Sequence, residues 1–237
     1  MERKAMRVHR ALARAGVSSR RGAEELVAAG RVEVNGVRAT TGQSVDPSRD
    51  DIRVDGRALP SIEKPRWFVL NKPTGVMTTK HDPEGRPTVF ALVPEVPGLT
   101  YVGRLDYLTS GVLLLTNDGT AAHRLSHPSG EVTRTYVATV KGDAEAAAGQ
   151  ASRGVRLDDG IVHVESAQVR RGDRKTWEFE VTLREGRNRE VRRLCEALGL
   201  HVDRLVRTAY GSVVLGALQA GEWRELKSTE IRKLLKP

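Results

Sequence analysis

The chain reads as an α+β protein: a small, helix-rich N-terminal piece followed by a larger piece with a mixed, mainly antiparallel sheet and flanking helices. Three observations predict this. Apolar residues recur at helical spacing over residues 6–30. Beyond residue 66 the apolar runs are short, and many alternate at period two. Between the two lies a stretch, residues 58–66, whose Pro60 and Pro65 discourage helix. The boundaries are therefore 1–57, a linker 58–66, and 67–237.

In residues 6–15, Val8, Leu12 and Ala15 point inward and Arg7, Arg10 and Arg14 outward, with Gly16 as the stop. Ser18 or Ser19 caps a second helix that runs through Arg20, Arg21, Glu24, Leu26 and Val27 to Gly30. Residues 31–34 alternate as a strand, and Asn35-Gly36 is a turn signal. Trp67-Phe68-Val69-Leu70 is an apolar strand closed by a turn at Asn71-Lys72-Pro73-Thr74-Gly75, and Val76-Met77-Thr78 continues as a second strand. A polar loop (81–87) follows, and Thr88 is placed to cap a short helix. Tyr101-Val102 leads to Gly103-Arg104-Leu105-Asp106-Tyr107-Leu108-Thr109-Ser110-Gly111, a turn-rich loop feeding the apolar strand Val112-Leu113-Leu114-Leu115. Asn117-Asp118-Gly119 is a hairpin signal with Asp118 structural. Strands are expected over 132–140, 161–169 and 176–183, the last two bracketing a hairpin tip at 170–174. Helices are expected over 144–151, 188–198 (stopped by Gly199) and 228–236.

Lys plus Arg number 39 against 30 Asp plus Glu in 237 residues, a net charge of +9. That excess suggests a polyanionic partner, most simply nucleic acid. Residues 1–38 alone carry nine Lys or Arg against four Asp or Glu, and two short helices with arginines on one face suit phosphate tracking. The single cysteine, Cys195, excludes an intrachain disulfide and a cysteine-type zinc site, and suits reducing cytosol. The six histidines lack metal-ligand spacing, residues 1–7 lack an apolar signal core, and no run approaches a membrane span. The expectation is a cytoplasmic monomer with no cofactor, no metal and no membrane partner.

Two constellations carry the chemistry. Asp106 lies close to Arg104 at the mouth of an apolar strand, where an opposite charge favours the ionised carboxylate, and such a carboxylate can act as a nucleophile. The second is Arg184-Glu185-Gly186-Arg187-Asn188-Arg189-Glu190-Val191-Arg192-Arg193, half of it arginine, which turns from a strand end into a helix N-terminus suited to anions. Val191 and Leu194 fix one face of that helix inward, and Arg192 beside this face needs a carboxylate or phosphate partner.

Leu12-Ala13-Arg14-Ala15-Gly16-Val17-Ser18-Ser19-Arg20-Arg21, with Gly30-Arg31-Val32-Glu33-Val34-Asn35-Gly36, resembles the RNA-binding domain named after ribosomal protein S-four, the alpha-L motif. The matching positions imply RNA contacts by Arg14, Arg20, Arg21 and Arg31. The Asp106 motif, Arg134-Thr135-Tyr136 and residues 185–193 resemble the motifs of the RsuA-type ribosomal RNA pseudouridine synthases, which typically carry an S-four-like domain ahead of the catalytic one. The resemblance implies isomerisation of one uridine in structured ribosomal RNA, more readily that of the large subunit, to pseudouridine without cofactor or metal. It makes Asp106 the catalytic carboxylate, Arg192 its basic partner and Tyr136 the pocket tyrosine beside the flipped base. By the same resemblance Arg104 grips the target's phosphate or fills the gap it leaves, Leu205 walls the pocket, and Arg187 and Arg189 meet RNA.

The reaction needs such residues. The base must leave its sugar at nitrogen 1, rotate and rejoin through carbon 5, after extrusion from structured RNA. Whether Asp106 adds to carbon 1′, adds to the uracil ring or removes the 2′ proton stays open from residues alone. Leu108 departs from the family pattern, which has Asn or an acidic residue there. That departure is the hint for an alternative, a catalytically weak or silent RNA-binding assembly factor; a generic basic nucleic-acid-binding protein is a further alternative, which explains none of the Asp106 context.

Overall fold

The structure, a computed structural model, describes residues 5–173 and 175–236. Arg174 of the expected hairpin tip and Met1 to Lys4 of the N-terminal reading lie outside the described residues. The chain divides into two compact units. One comprises Met1–Arg66, Glu95–Thr100 and Thr116–Gly119, and the other Trp67–Pro94, Tyr101–Leu115 and Thr120–Pro237.

The first unit opens with β1 (Met6–Arg7), α1 (Val8–Arg14) and α2 (Arg20–Ala28). The expected helix over 6–15 thus loses its first two residues to a strand, because Met6 and Arg7 pair with Val45 and Ser44. Val8, Ala11, Leu12 and Ala15 are buried, as the helical spacing requires. Ser19 caps α2, its hydroxyl accepting from the Gly22 N–H at 3.1 Å. β2 (Val32–Val34) and β3 (Val37–Arg38) form a hairpin whose turn places both Asn35 (φ 53°) and Gly36 (φ 80°) in the left-handed region. β4 (Ser44–Val45), β5 (Ile52–Val54) and β6 (Arg57–Ala58) complete the unit, with β3-β2-β5-β6 in one sheet. Its core packs Val8, Leu12, Ala23 and Val27 of the helices against Val32, Val34 and Ile52 of the strands.

The larger unit contains β7 (Trp67–Lys72), β8 (Thr100–Val102), β9 (Thr109–Thr116), α3 (Gly119–Ser126), β10 (Arg134–Lys141), α4 (Ala144–Ala151), β11 (Val155–Leu157), β12 (Gly160–Val162), β13 (Ser166–Arg171), β14 (Trp177–Leu183), α5 (Glu190–Ala197), β15 (His201–Tyr210), β16 (Val213–Val214), β17 (Trp223–Glu225) and α6 (Ser228–Leu234), except that Thr100 of β8, Thr116 of β9 and Gly119 of α3 belong to the first unit. The main sheet runs β13-β14-β10-β15-β9-β7-β17. β13 with β14, β14 with β10, β10 with β15 and β7 with β17 are antiparallel, and β9 with β15 is parallel. The fold class is α+β with a mixed, mainly antiparallel sheet, as expected. β7 and β9 are buried along their whole length, so their apolar runs reflect cover on both faces.

Several local readings change. Asn71 and Lys72, read as a turn, complete β7 and are buried. Met77 makes only an isolated bridge to Thr88, so residues 76–78 form no strand. Thr88 precedes a 3₁₀ turn, Val89–Leu92, without a side-chain capping bond. Gly119 opens α3 rather than a hairpin. The expected strand over 161–169 is two strands, β12 and β13, and the latter is rejoined to the sheet by Glu165 N–H donating to the Thr182 carbonyl at 2.8 Å. α5 starts two residues late, because Arg189 sits in the left-handed region (φ 49°). Among the described residues, no helix is long and apolar enough to cross a membrane.

Candidate active site

The parallel junction of β9 and β15 is the foundation of the site. Leu205, Val206 and Arg207 register with Thr109, Ser110 and Gly111. Gly111 has φ 106°, and a Cβ there would lie 2.2 Å from the Arg207 carbonyl oxygen, so only glycine permits the approach. Thr109, Ser110 and Gly111, read as loop, are strand, and both hydroxyl-bearing residues are buried. The turn itself spans residues 106–109, closed by the Thr109 N–H donating to the Asp106 carbonyl at 3.0 Å.

Lys72 anchors that turn from below. It has no exposed surface, and its ammonium donates to the carbonyls of Pro73 (2.9 Å), Asp106 (3.1 Å) and Thr109 (2.9 Å). Burial pushes it down to about 8, against the opposing pull of Asp106. Arg192, from α5, donates to the Leu108 carbonyl at 2.9 Å, and its own affinity for the proton is lowered first by burial and then by Arg189, with Asp106 opposing. The resemblance makes Arg192 the basic partner of Asp106, and that carboxylate does act on it electrostatically. The hydrogen bond of Arg192 goes to the backbone two residues further on, and no ion pair within 4 Å involves Asp106 among the described residues.

Tyr136 lies on β10 opposite Arg207, directly after a β-bulge between Thr135 and Tyr136, a device that re-aims side chains. Arg207 is 1% exposed and donates through Nε to the Val112 carbonyl at 2.7 Å. One of its terminal nitrogens reaches the Tyr136 hydroxyl at 3.5 Å, and the other, buried, has no hydrogen-bond partner. Its guanidinium lies 5.0 Å from the Tyr210 ring centroid and 6.0 Å from that of Tyr136. Arg134 stacks on Tyr210 as well, at 5.2 Å, and donates to the Arg184 carbonyl at 2.6 Å. Two buried arginines are thus held by aromatic faces and carbonyls rather than by carboxylates.

These groups enclose a cavity of about 280 Å³. Asp106, Arg104, Tyr136, Arg192, Leu205, Arg187 and Arg189 all line it, as do Arg134, Arg207 and Glu190. Six arginines therefore face two carboxylates, which makes the cavity attractive to an anion. Arg187 is committed to Glu185 (2.9 Å), Asp159 (3.2 Å) and the Ile161 carbonyl (3.0 Å), so it braces the wall. Glu190, the first residue of α5, accepts from the Arg187 N–H at 3.1 Å and so braces the turn ahead of the helix. Burial, then Glu185, pushes the Glu190 carboxyl up to about 7. Of the S-four-like arginines, Arg20 and Arg21 are exposed in the first turn of α2, and Arg14 is half-buried in the last turn of α1. Arg31 differs from expectation: Asp55 takes it in a two-point pair at 2.8 and 2.5 Å.

Lys72, Arg207 and Glu190 carried no functional reading from sequence. Lys72 had a signal, a lysine two positions after a run of four apolar strand residues; Arg207 had only its alternation with Leu205. No group of three or more His, Cys, Asp or Glu among the described residues is placed to hold a metal ion.

A family model described as RNA pseudouridylate synthase matches residues 66–197, and one described as S4 domain matches residues 6–51. The chain belongs to the RNA pseudouridylate synthase family. It is 46% identical to an uncharacterized RNA pseudouridine synthase of Mycobacterium leprae (strain TN), over 98% of this chain and 93% of that one. It is 43% identical to the ribosomal large subunit pseudouridine synthase B of Xylella fastidiosa (strain Temecula1 / ATCC 700964), over 96% of this chain. The chain spans 50% of the length of that relative. A solved structure described as a pseudouridylate synthase superposes with a TM-score of 0.67 at 30% identity, covering 97% of this chain and 100% of that one.

Proposed function

We propose that the chain isomerises a uridine of large-subunit ribosomal RNA to pseudouridine, with Asp106 as the catalytic carboxylate, Tyr136 beside the extruded base, and the S-four-like unit supplying RNA affinity through Arg20 and Arg21. The observation that carries this reading is the gathering of Asp106, Tyr136, Arg192 and Leu205 around one arginine-rich cavity. The name of the Xylella relative supports the large subunit as the source of the RNA.

The chemistry balances without a redox partner. The bond from carbon 1′ to nitrogen 1 breaks and the bond from carbon 1′ to carbon 5 forms. Carbon 5 releases a proton and nitrogen 1 gains one. Asp106 opens the sequence, and its position is set by the Lys72 and Arg192 bonds to its turn. On this reading the Tyr136 hydroxyl meets the proton at carbon 5. The surplus positive charge of the cavity holds the phosphate of the extruded nucleotide while its base turns.

Asp106→Ala abolishes pseudouridine formation while RNA affinity persists. Chemical mapping of pseudouridines in ribosomal RNA from cells with and without the gene identifies the uridine, and complementation with Asp106→Ala tests the residue. Full modification by Asp106→Ala would overturn the assignment.

A further inference from the structure

The turn that carries Asp106 also holds two large side chains in solvent, Tyr107 at 42% and Leu108 at 57% exposure. Loose backbone does not explain this. The Asp106 carbonyl accepts from Lys72 and from the Thr109 N–H. The Tyr107 carbonyl accepts from the Gly75 N–H at 2.9 Å. The Leu108 carbonyl accepts from Arg192, and the Thr109 carbonyl from Lys72. Four consecutive carbonyls are held, two of them by a fully buried ammonium, so the backbone from which Tyr107 and Leu108 project is fixed. An apolar pair kept in water in this way forgoes the gain of burial unless a partner covers it.

Its surroundings select the partner's chemistry. Arg104 and Asp106, immediately before the pair, line the cavity, and the arginines there attract a phosphate backbone. Nucleobases offer apolar faces along such a backbone, and a phenol ring stacks on any of them. We propose, resting on the reading above, that Tyr107 and Leu108 are a docking surface for the nucleobases that flank the target uridine, covering the faces exposed when that uridine leaves the stack. On this proposal Leu108, at 57% exposure the more open of the two, is a specificity element of this chain, offering an apolar face to unstacked neighbours.

The test is a cycle of one protein change and one RNA change. The protein change is Tyr107→Ala with Leu108→Ser. The RNA is a folded fragment of large-subunit ribosomal RNA around the uridine mapped in gene-deleted cells, with and without the two flanking bases replaced by abasic sites. On the intact fragment the double variant loses about tenfold in single-turnover rate, the size of one base stack. Removing the flanking bases costs the wild type a similar factor and costs the double variant almost nothing more. Additive losses, or an unchanged rate on the intact fragment, overturn the proposal. Thermal melting checks that the double variant stays folded, with a midpoint lowered by a few degrees at most, because Tyr107 buries part of its ring. Failure of the isomerase reading looks different: the wild type then forms no pseudouridine on any ribosomal RNA. In that case affinity for folded large-subunit ribosomal RNA decides the docking surface. A tenfold weaker double variant supports it, and equal affinity overturns it.

Discussion

Arginine serves two opposite purposes in the two units. In the N-terminal unit Arg20 and Arg21 stand exposed on the first turn of α2. In the larger unit Arg134 and Arg207 are buried among Tyr136, Tyr210 and backbone carbonyls. An exposed guanidinium trades counterions for phosphates, so its contribution depends on salt and scarcely on geometry. A buried guanidinium is shielded from salt and acts by fixing the positions of its neighbours. The difference teaches that net charge locates the polyanion partner but says nothing about which arginines serve the chemistry.

The broadest way to break this comparison is ionic strength. If about six phosphates are neutralised, affinity for ribosomal RNA falls roughly a thousandfold between about 50 and 200 mM salt. Single-turnover rate at saturating enzyme stays nearly flat over the same range. A flat binding curve in a filter-binding titration would refute the exposed half of the comparison.

Arg207→Met sharpens the buried half. It removes the contact to the Tyr136 hydroxyl while keeping volume, and it deletes a buried charge that has no carboxylate partner. Stability falls by about 1–3 kcal/mol, because the buried Val112 carbonyl loses its donor. Turnover falls about a hundredfold through misplacement of Tyr136, with KM nearly unchanged. Arg207→Lys recovers part of the rate. A variant that simply unfolds, seen by calorimetry, would assign Arg207 to the core alone.

Charge reversal in the first unit has the complementary signature. Arg20→Glu with Arg21→Glu weakens RNA binding about tenfold or more and leaves the rate on saturating substrate within about twofold. Arg31→Ala changes affinity far less, because Asp55 already neutralises that guanidinium. Equal effects at the two sites would erase the distinction between free and paired arginines.

The smallest effect concerns Glu190. Its folded carboxyl titrates near 7, above the usual 4.5, so between these values the native state holds a proton that the unfolded chain has lost. Stability therefore declines as pH rises through that window and is level above it. Denaturant unfolding of Glu190→Gln from pH 4 to 8, compared with wild type, should show this slope removed.

Much of the fold was legible because its signals are local. The alternation of β14, the bounds of α4 and the Ser19 cap follow from spacing and side-chain chemistry within a few residues. Asp106, Tyr136, Arg192 and Leu205 were legible through a resemblance of motifs, and the cavity brings them together. Lys72 and Arg207 were hidden because their partners, Asp106 and Tyr136, lie 34 and 71 residues away in sequence. The grip of Arg192 on a carbonyl was hidden for a related reason: residue type specifies a charge, but not which oxygen receives it. Asn71 and Lys72 were misread because a polar pair before Pro73 is a sound turn signal until burial overrides it.

The close passage of Gly111 beneath Arg207 also bears on the order of events during synthesis. Leu205 pairs with Thr109 across nearly a hundred residues, and β15 also forms one edge of the β10 pairing. Contacts of such separation close slowly and late. When the ribosome has delivered Asp106, Tyr136 and even α5, the seam that defines the cavity is still missing. A nascent chain stalled before residue 200 would display its arginine-rich helices to nearby RNA while possessing no finished catalytic chamber. Affinity therefore precedes chemistry in the life of each molecule, and a truncation ahead of β15 should yield an RNA binder with no activity at all.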